Sequence, residues 1–100
     1  MKGLTEMEYL CLNPRVMDTP EKLHEQLLDA LGFSVDYGMN LDALYDEMTT
    51  LFEPVSILCL RFEKDGRPLY PHAEPFYRVL LDAARENPCL RVEVETLPAG

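Results

Sequence analysis

Residues 55–62 read Val-Ser-Ile-Leu-Cys-Leu-Arg-Phe, a nearly unbroken apolar run. This pattern is typical of a central strand covered on at least one face. Glu53-Pro54 precedes the run, and a polar connection over residues 63–72 follows it. Two further strand patterns lie outward along the chain, at residues 7–12 and 90–95. The second alternates strictly between apolar and polar residues, which predicts an edge strand with one wet face.

Helical patterns fill the intervals between these strands. Residues 18–20 (Asp-Thr-Pro) predict the start of a first helix that ends at Gly32. Asn40 is expected to cap a second helix over about 41–51, and a third helix is predicted over about 74–86. The expected inward side chains of the second helix are Leu41, Leu44, Met48 and Leu51. Strands separated by helices predict an α/β fold, with a small three-stranded parallel sheet packed by three or more helices.

Length and charge narrow the function classes. One hundred residues predict a single domain over residues 1–100. Eighteen acids against nine bases give a net charge of −9, which argues against direct nucleic-acid binding and against an anionic membrane surface. A basic macromolecule is the partner that such a field attracts. No signal peptide or membrane-spanning run is visible, so a cytoplasmic location is expected.

The three cysteines indicate neither a disulfide framework nor a metal site. Cys11, Cys59 and Cys89 are an odd number without C-x-x-C spacing. We expect them to be reduced core residues of a cytosolic protein. No His and no second Cys stands at ligand spacing from any of them, so no metal or other cofactor is predicted.

The negative charge is concentrated in the first part of the chain. Residues 1–60 hold eleven acids and three bases, whereas residues 61–100 hold seven acids and six bases. No Lys or Arg lies between Lys22 and Arg61. Solubility alone can explain such an acidic half, and so can attraction of a basic partner.

The second helix concentrates this charge on one side. If Leu44 and Met48 face inward, the opposite side carries four residues at neighbouring helical positions. These residues are Asp42, Tyr45, Asp46 and Thr49. An aromatic ring between two carboxylates suits a binding surface, although a solvated acidic helix face has the same composition.

The motif Tyr37-Gly38-x-Asn40-Leu41-Asp42-Ala43-Leu44-x-Asp46, preceded by Leu23-His24-x-x-Leu27, resembles the barstar family of intracellular ribonuclease inhibitors. The likeness can be followed along nearly the whole chain, through the apolar strand, the third helix and the final strand. It implies the same small parallel sheet packed by helices. In this family, the loop and second helix plug the active site of a nuclease, and their carboxylates stand where substrate phosphates would bind.

The resemblance also implies roles for individual positions. Asp46 matches the central acid that meets the enzyme's phosphate-binding basic residues, and Asp42 matches the acid one turn earlier. Tyr45 matches the aromatic between them, Asp82 a further carboxylate contact, and residues 38–40 the loop and helix start. The expected partner-binding residues are Asp36, Tyr37, Gly38, Asn40, Asp42, Tyr45, Asp46, Thr49 and Asp82.

Several positions depart from the family pattern. Asp36 stands where the family inhibitor has an aromatic, Tyr45 where it usually has Trp, and Asp82 where it has Glu. A second Trp of the family falls near Leu51 here. These smaller residues imply a different target nuclease, or a weaker fit to the familiar one.

An enzymatic role is not expected. Asp42 and Asp46 lie one helical turn apart on a single face, whereas paired catalytic carboxylates face each other across a substrate. A calcium site is not expected either, because these acids lack the required loop geometry. His24 is expected at the surface or in the cap region of the first helix, and Tyr70 and Tyr77 in packing.

Two functions remain. The first is a proteinaceous inhibitor that binds a small basic ribonuclease, with a free monomer forming a 1:1 complex. The second is a non-inhibitory interaction module of the same fold that binds another basic protein through the acidic helix face. Fold alone does not separate them.

Overall fold

A computed structural model describes residues 7–34 and 36–98. In this described part of the chain, four strands and three α-helices follow one another, with a short 3-10 helix at Pro71–Ala73 before the last α-helix. The elements are β1 (Glu8–Leu12), α1 (Pro20–Leu31), α2 (Leu41–Thr49), β2 (Val55–Lys64), β3 (Arg67–Pro68), α3 (Glu74–Glu86) and β4 (Leu90–Pro98).

The predicted central strand is confirmed. β2 pairs in parallel with β1 on one side and with β4 on the other, so that Ile57 lies between Leu10 and Val92. In β2, Val55, Ile57 and Cys59 are buried, as expected for an apolar strand beneath helices. β4 is an edge strand as predicted, and it runs three residues further than the alternating pattern.

The prediction of a purely parallel, three-stranded sheet is wrong. The short strand β3 pairs antiparallel with the end of β2, which makes the sheet four-stranded and mixed. Asp65 and Gly66 join the two strands with φ angles of 53° and 74°. Two consecutive residues in the left-handed region form the tight turn that a two-residue β-hairpin requires.

The helices begin close to their predicted positions, and α1 and α2 have formed side-chain caps, whereas α3 has none. The Thr19 side chain accepts a hydrogen bond from the Lys22 amide, and Gly32 ends α1 in a left-handed conformation (φ 65°). α3 spans its predicted residues. α2 ends at Thr49, two residues earlier than expected, with Thr50 as its C-cap.

The core lies between the helices and the sheet. It includes fully buried side chains from both layers: Leu12, Leu23, Leu27, Leu44, Met48, Cys59, Leu80 and Ala83. Burial raises the pKa of the Cys59 thiol to about 12. Tyr77 is buried and donates to the Leu60 carbonyl (2.7 Å), and the Tyr70 ring packs against Phe62 (5.9 Å between centroids).

Three sequence-based expectations about burial are wrong. Leu41 is exposed, because it is the first residue of α2 and the buried stripe begins only at Leu44. Cys11 is also exposed, on the edge strand β1. His24 is buried rather than at the surface, with 3% of its area accessible. Among the described residues, no helix has the length and apolarity needed to cross a membrane.

Candidate partner-binding surface

Helix α2 is fixed in orientation by its cap and its buried side. The Asn40 side chain accepts a hydrogen bond from the Ala43 amide (2.8 Å), which satisfies a free donor at the helix start. Leu44 and Met48, one turn apart, have no accessible surface. The remaining face of the helix therefore points away from the core.

This outward face carries Asp42, Tyr45 and Asp46, all three exposed. Within residues 7–34 and 36–98, neither carboxylate has an ion-pair partner. The two acids therefore remain available to a basic group from outside. Tyr45 retains 36% of its surface, so about a third of the residue is open to a partner.

Thr49 contributes less to this face than the spacing suggested. It is half-buried, and its hydroxyl donates to the Tyr45 carbonyl of its own helix (2.8 Å). A hydroxyl that back-bonds to the preceding turn is already satisfied. Thr49 therefore lies at the border of the exposed face.

The loop before α2 places its residues in two directions. Asp36 and Gly38 are exposed, whereas Tyr37 between them is half-buried. The Tyr37 hydroxyl forms a hydrogen bond with Nδ1 of His24, and its ring packs against Phe33 (4.9 Å between centroids). The Tyr37 hydroxyl is thus engaged inside the protein rather than free for a partner.

The backbone changes direction just before α2. Met39 adopts the left-handed conformation, with φ at 54°. A Cβ at Gly38 would lie 2.9 Å from Nδ2 of Asn40, so a larger residue there would displace the side chain that caps α2. That close approach lets Asn40 Nδ2 donate to the Gly38 carbonyl (3.4 Å) while its Oδ1 caps the helix.

Helix α3 adds Asp82 to the same region. Tyr45 and Asp82 line one shallow surface depression together with Arg85 and Glu86. Asp82 is partly exposed and forms an ion pair with Arg85, one turn further along α3. The sequence analysis did not single out Arg85, although its i,i+3 spacing from Asp82 is typical of such a pair.

A second residue missed by the sequence analysis holds the far end of α2. Asn87 is 5% exposed, and its side-chain amide donates to the carbonyls of Met48 and Leu51 (2.9 Å each). Its Oδ1 accepts from the Cys89 amide (3.0 Å). Carbonyls at a helix end lack intrahelical partners, so this amide connects the end of α2 to the turn after α3.

The exposed residues of α2, of the loop before it and of α3 form a surface that can bind a partner. Fixed carboxylates beside an aromatic ring can accept charge-assisted hydrogen bonds from Arg or Lys. Among the described residues, no group of three His, Cys, Asp or Glu side chains could hold a metal ion.

Comparisons with known proteins identify the family of the chain. The model of the family Barstar, described as "Barstar (barnase inhibitor)", matches residues 7–95. The chain is also 32% identical over 81 residues to a Bacillus subtilis (strain 168) protein named "Putative ribonuclease inhibitor YrdF". That alignment covers 80% of this chain and 89% of the Bacillus protein. The chain therefore belongs to the barstar family.

Proposed function

We propose that this protein inhibits a small basic ribonuclease by covering its active site with the outward face of α2. The observation that carries the proposal is the exposed group of Asp42, Tyr45 and Asp46 on a helix whose other side is fixed in the core. Family membership supports it, and so does the name of the Bacillus relative.

The proposed mechanism is phosphate mimicry. Ribonucleases bind RNA phosphates with Arg and Lys, and carboxylate oxygens offer those groups a similar acceptor. In the complex, Asp46 meets the phosphate-binding residues of the enzyme, and Asp42 supplies the second charge one turn earlier. Tyr45 packs between them as an apolar plate that excludes water from the ion pairs.

The neighbouring residues complete the interface. Asp36 and Gly38 approach the nuclease from the loop, and Asn40 shapes the helix start. Thr49 borders the contact at the far end of α2, and Asp82 adds a carboxylate from α3. Tyr37 contributes to the interface indirectly, because it holds the loop that carries Asp36 and Gly38.

Electrostatic attraction brings the partners together. The chain has a net charge of −9, and no Lys or Arg lies between Lys22 and Arg61. A field of one sign accelerates encounter with an oppositely charged protein. Once the complex forms, desolvated acid–base contacts slow its dissociation.

The proposal makes the protein a stoichiometric inhibitor rather than an enzyme, a monomer that binds its target 1:1. It acts in the cytoplasm and protects the cell from a nuclease that is either secreted or part of a toxin. The three free cysteines, Cys11, Cys59 and Cys89, are consistent with a reducing compartment. Because Asp36, Tyr45 and Asp82 replace larger residues of the family pattern, the target is either a different nuclease or the familiar one bound with a weaker fit.

The proposal is tested by titrating the protein into a panel of small basic ribonucleases while RNA cleavage is followed. We expect loss of activity at one equivalent for at least one enzyme, with substrate and inhibitor competing. Binding without loss of cleavage would instead favour a non-inhibitory module that recruits a basic protein through the same face. Absence of both would contradict the proposal.

A further inference from the structure

His24 lies inside the protein, where α1 meets α3 and the loop before α2. Only 3% of its surface is accessible. Its ring packs edge-on against Phe76 of α3, with 5.0 Å between centroids, and lies 5.5 Å from the ring of Tyr37. Its Nδ1 is hydrogen-bonded to the Tyr37 hydroxyl. A buried polar ring of this kind is retained only when its hydrogen bond is satisfied.

Tyr37 links this buried histidine to the surface. Its amide donates to the Ser34 carbonyl (3.0 Å), and Ser34 in turn donates through Oγ to Glu47 of α2 (3.1 Å). Asp36 and Gly38, which flank Tyr37, are exposed to solvent. The position of the Tyr37 ring therefore determines where these two neighbours lie.

We propose that His24 is a positioning residue which, through its hydrogen bond to Tyr37, holds residues 36–38 in the conformation that meets the partner. His24 acts through Tyr37 and lies inside the fold, so it need not touch the nuclease itself. The part of this inference that concerns binding rests on the proposed function. Loop positioning is a property of the free protein and can be tested without a partner.

The hydrogen bond joins two neutral groups near pH 7. Burial lowers the pKa of His24 and raises that of Tyr37. Few charged groups face the pair: Glu21 on α1 raises the pKa of His24 slightly against the effect of burial, and Glu47 on α2 raises that of Tyr37. Among the described loop residues, Tyr37 contacts His24 through its hydroxyl and its ring, and α3 contributes the uncharged ring of Phe76.

The sign of the pH dependence follows from this environment. The folded-state pKa of His24 lies below its unfolded value of 6.5, so at intermediate pH the unfolded or opened state binds more protons. The contribution of His24 is therefore complete above about pH 6.5 and is lost as the pH falls through the folded-state pKa. Protonation of His24 should release the loop.

Amide hydrogen exchange in the free protein tests this inference. Tyr37→Phe keeps the ring but removes the hydroxyl, and we expect exchange at residues 36–38 to become about tenfold faster, as loss of one hydrogen bond predicts. The amides of Ile57 and Leu80 in the core should keep their rates. Unchanged exchange in the loop, or an equal increase throughout the protein, would overturn the proposal.

A substitution at His24 separates positioning from packing. His24→Asn offers a side-chain amide in place of Nδ1, whereas His24→Leu fills space without a hydrogen-bonding group. We expect Asn to restore part of the loop protection that Leu abolishes. After correction for intrinsic exchange, loop protection relative to Leu80 should fall between pH 7.5 and 5 in the parent protein but not in His24→Asn. The same fall in His24→Asn would overturn the role of His24.

Binding to a ribonuclease provides the last test of the role of His24 and Tyr37. With a ribonuclease that the parent protein inhibits, Tyr37→Phe should raise the dissociation constant about tenfold, and the ratio of the two constants should shrink as the pH falls below 6. An unchanged constant would overturn positioning of the interface. If no ribonuclease is inhibited by the parent protein, the proposed function fails, whereas the exchange result still decides the role of His24.

Discussion

Tyr45 on α2 and Asp82 on α3 line the same shallow depression of the surface. They are far apart in sequence but are brought together because α2 packs against α3. The candidate surface therefore spans two helices, and a partner that covers the acids of α2 also meets the middle of α3. Because the two residues lie on different helices, their contributions to binding can be tested separately.

Replacing Tyr45 with Ala should weaken nuclease binding by about 2 kcal/mol. An aromatic side chain at the centre of an interface contributes strongly to the binding free energy. The free energy of unfolding should change by less than about 0.5 kcal/mol, since the ring is exposed and Ala favours helices. Tyr9→Ala is the matched control, with Tyr9 75% exposed on β1. Titration calorimetry and thermal unfolding measure both quantities. Equal affinities for the two variants would remove Tyr45 from the interface.

In the free protein, Arg85 should compete with a partner for the carboxylate of Asp82. The pair is largely exposed, so its removal by Arg85→Ala should strengthen binding of a basic nuclease only about two- to fivefold. Arg78→Ala, on the same helix, changes the net charge equally and should have a smaller effect. Dissociation constants of the two variants measure the difference. Weaker binding by Arg85→Ala would show that the arginine itself contacts the partner.

Asn87 should matter for stability rather than for recognition. Asn87→Ala leaves the carbonyls of Met48 and Leu51 without their donor and should lower the free energy of unfolding by about 2 kcal/mol. Asn87→Asp keeps the acceptor for the Cys89 amide but lacks the donors, so it should be at least as destabilised. Urea denaturation measures both. A stable Asp variant would contradict the role assigned to the amide.

The association rate with a basic nuclease should fall by about tenfold or more between low and high salt, because counter-ions screen the acidic field. The dissociation rate should change much less, since buried contacts are screened weakly. Stopped-flow mixing over a series of salt concentrations gives both rates. An association rate independent of salt would rule out electrostatic steering.

Much of the fold could be predicted because its signals are local and periodic. The apolar run of β2, the capped start of α1 at Thr19 and the span of α3 all match the structure. The strand β3 was missed because two residues carry no periodicity. Its hairpin did have a signal, since Asp65-Gly66 is a strong turn pair.

The outward side of α2 was predictable for the same reason, because Leu44 and Met48 show which side of the helix is buried. His24 was not, because its burial depends on Phe76 and Tyr37 from distant segments. The role of Asn87 was not predictable either, since its acceptors at the end of α2 lie nearly forty residues earlier. Such contacts between elements leave no local pattern in a single sequence.

The proposed inhibition depends on the Asp46 carboxylate being free to accept hydrogen bonds from a basic enzyme. Its nearest test compares Asp46→Ala with Asp29→Ala, an equal loss of charge at an exposed position of α1. We expect Asp46→Ala to weaken binding of the inhibited nuclease by about 2–5 kcal/mol, a range from charged interfaces that include barnase–barstar, the prototype of this family. Its thermal midpoint should be unchanged or higher, because repulsion from Asp42 is relieved.

The decisive measurement is the ratio of dissociation constants for these two variants, determined with the same ribonuclease and buffer. We expect a ratio of at least about thirtyfold, which corresponds to the lower end of that free-energy range. Two equal constants would mean that the nuclease responds only to the net charge of the protein. The carboxylate of Asp46 would then not be the acceptor on which the inhibitor depends.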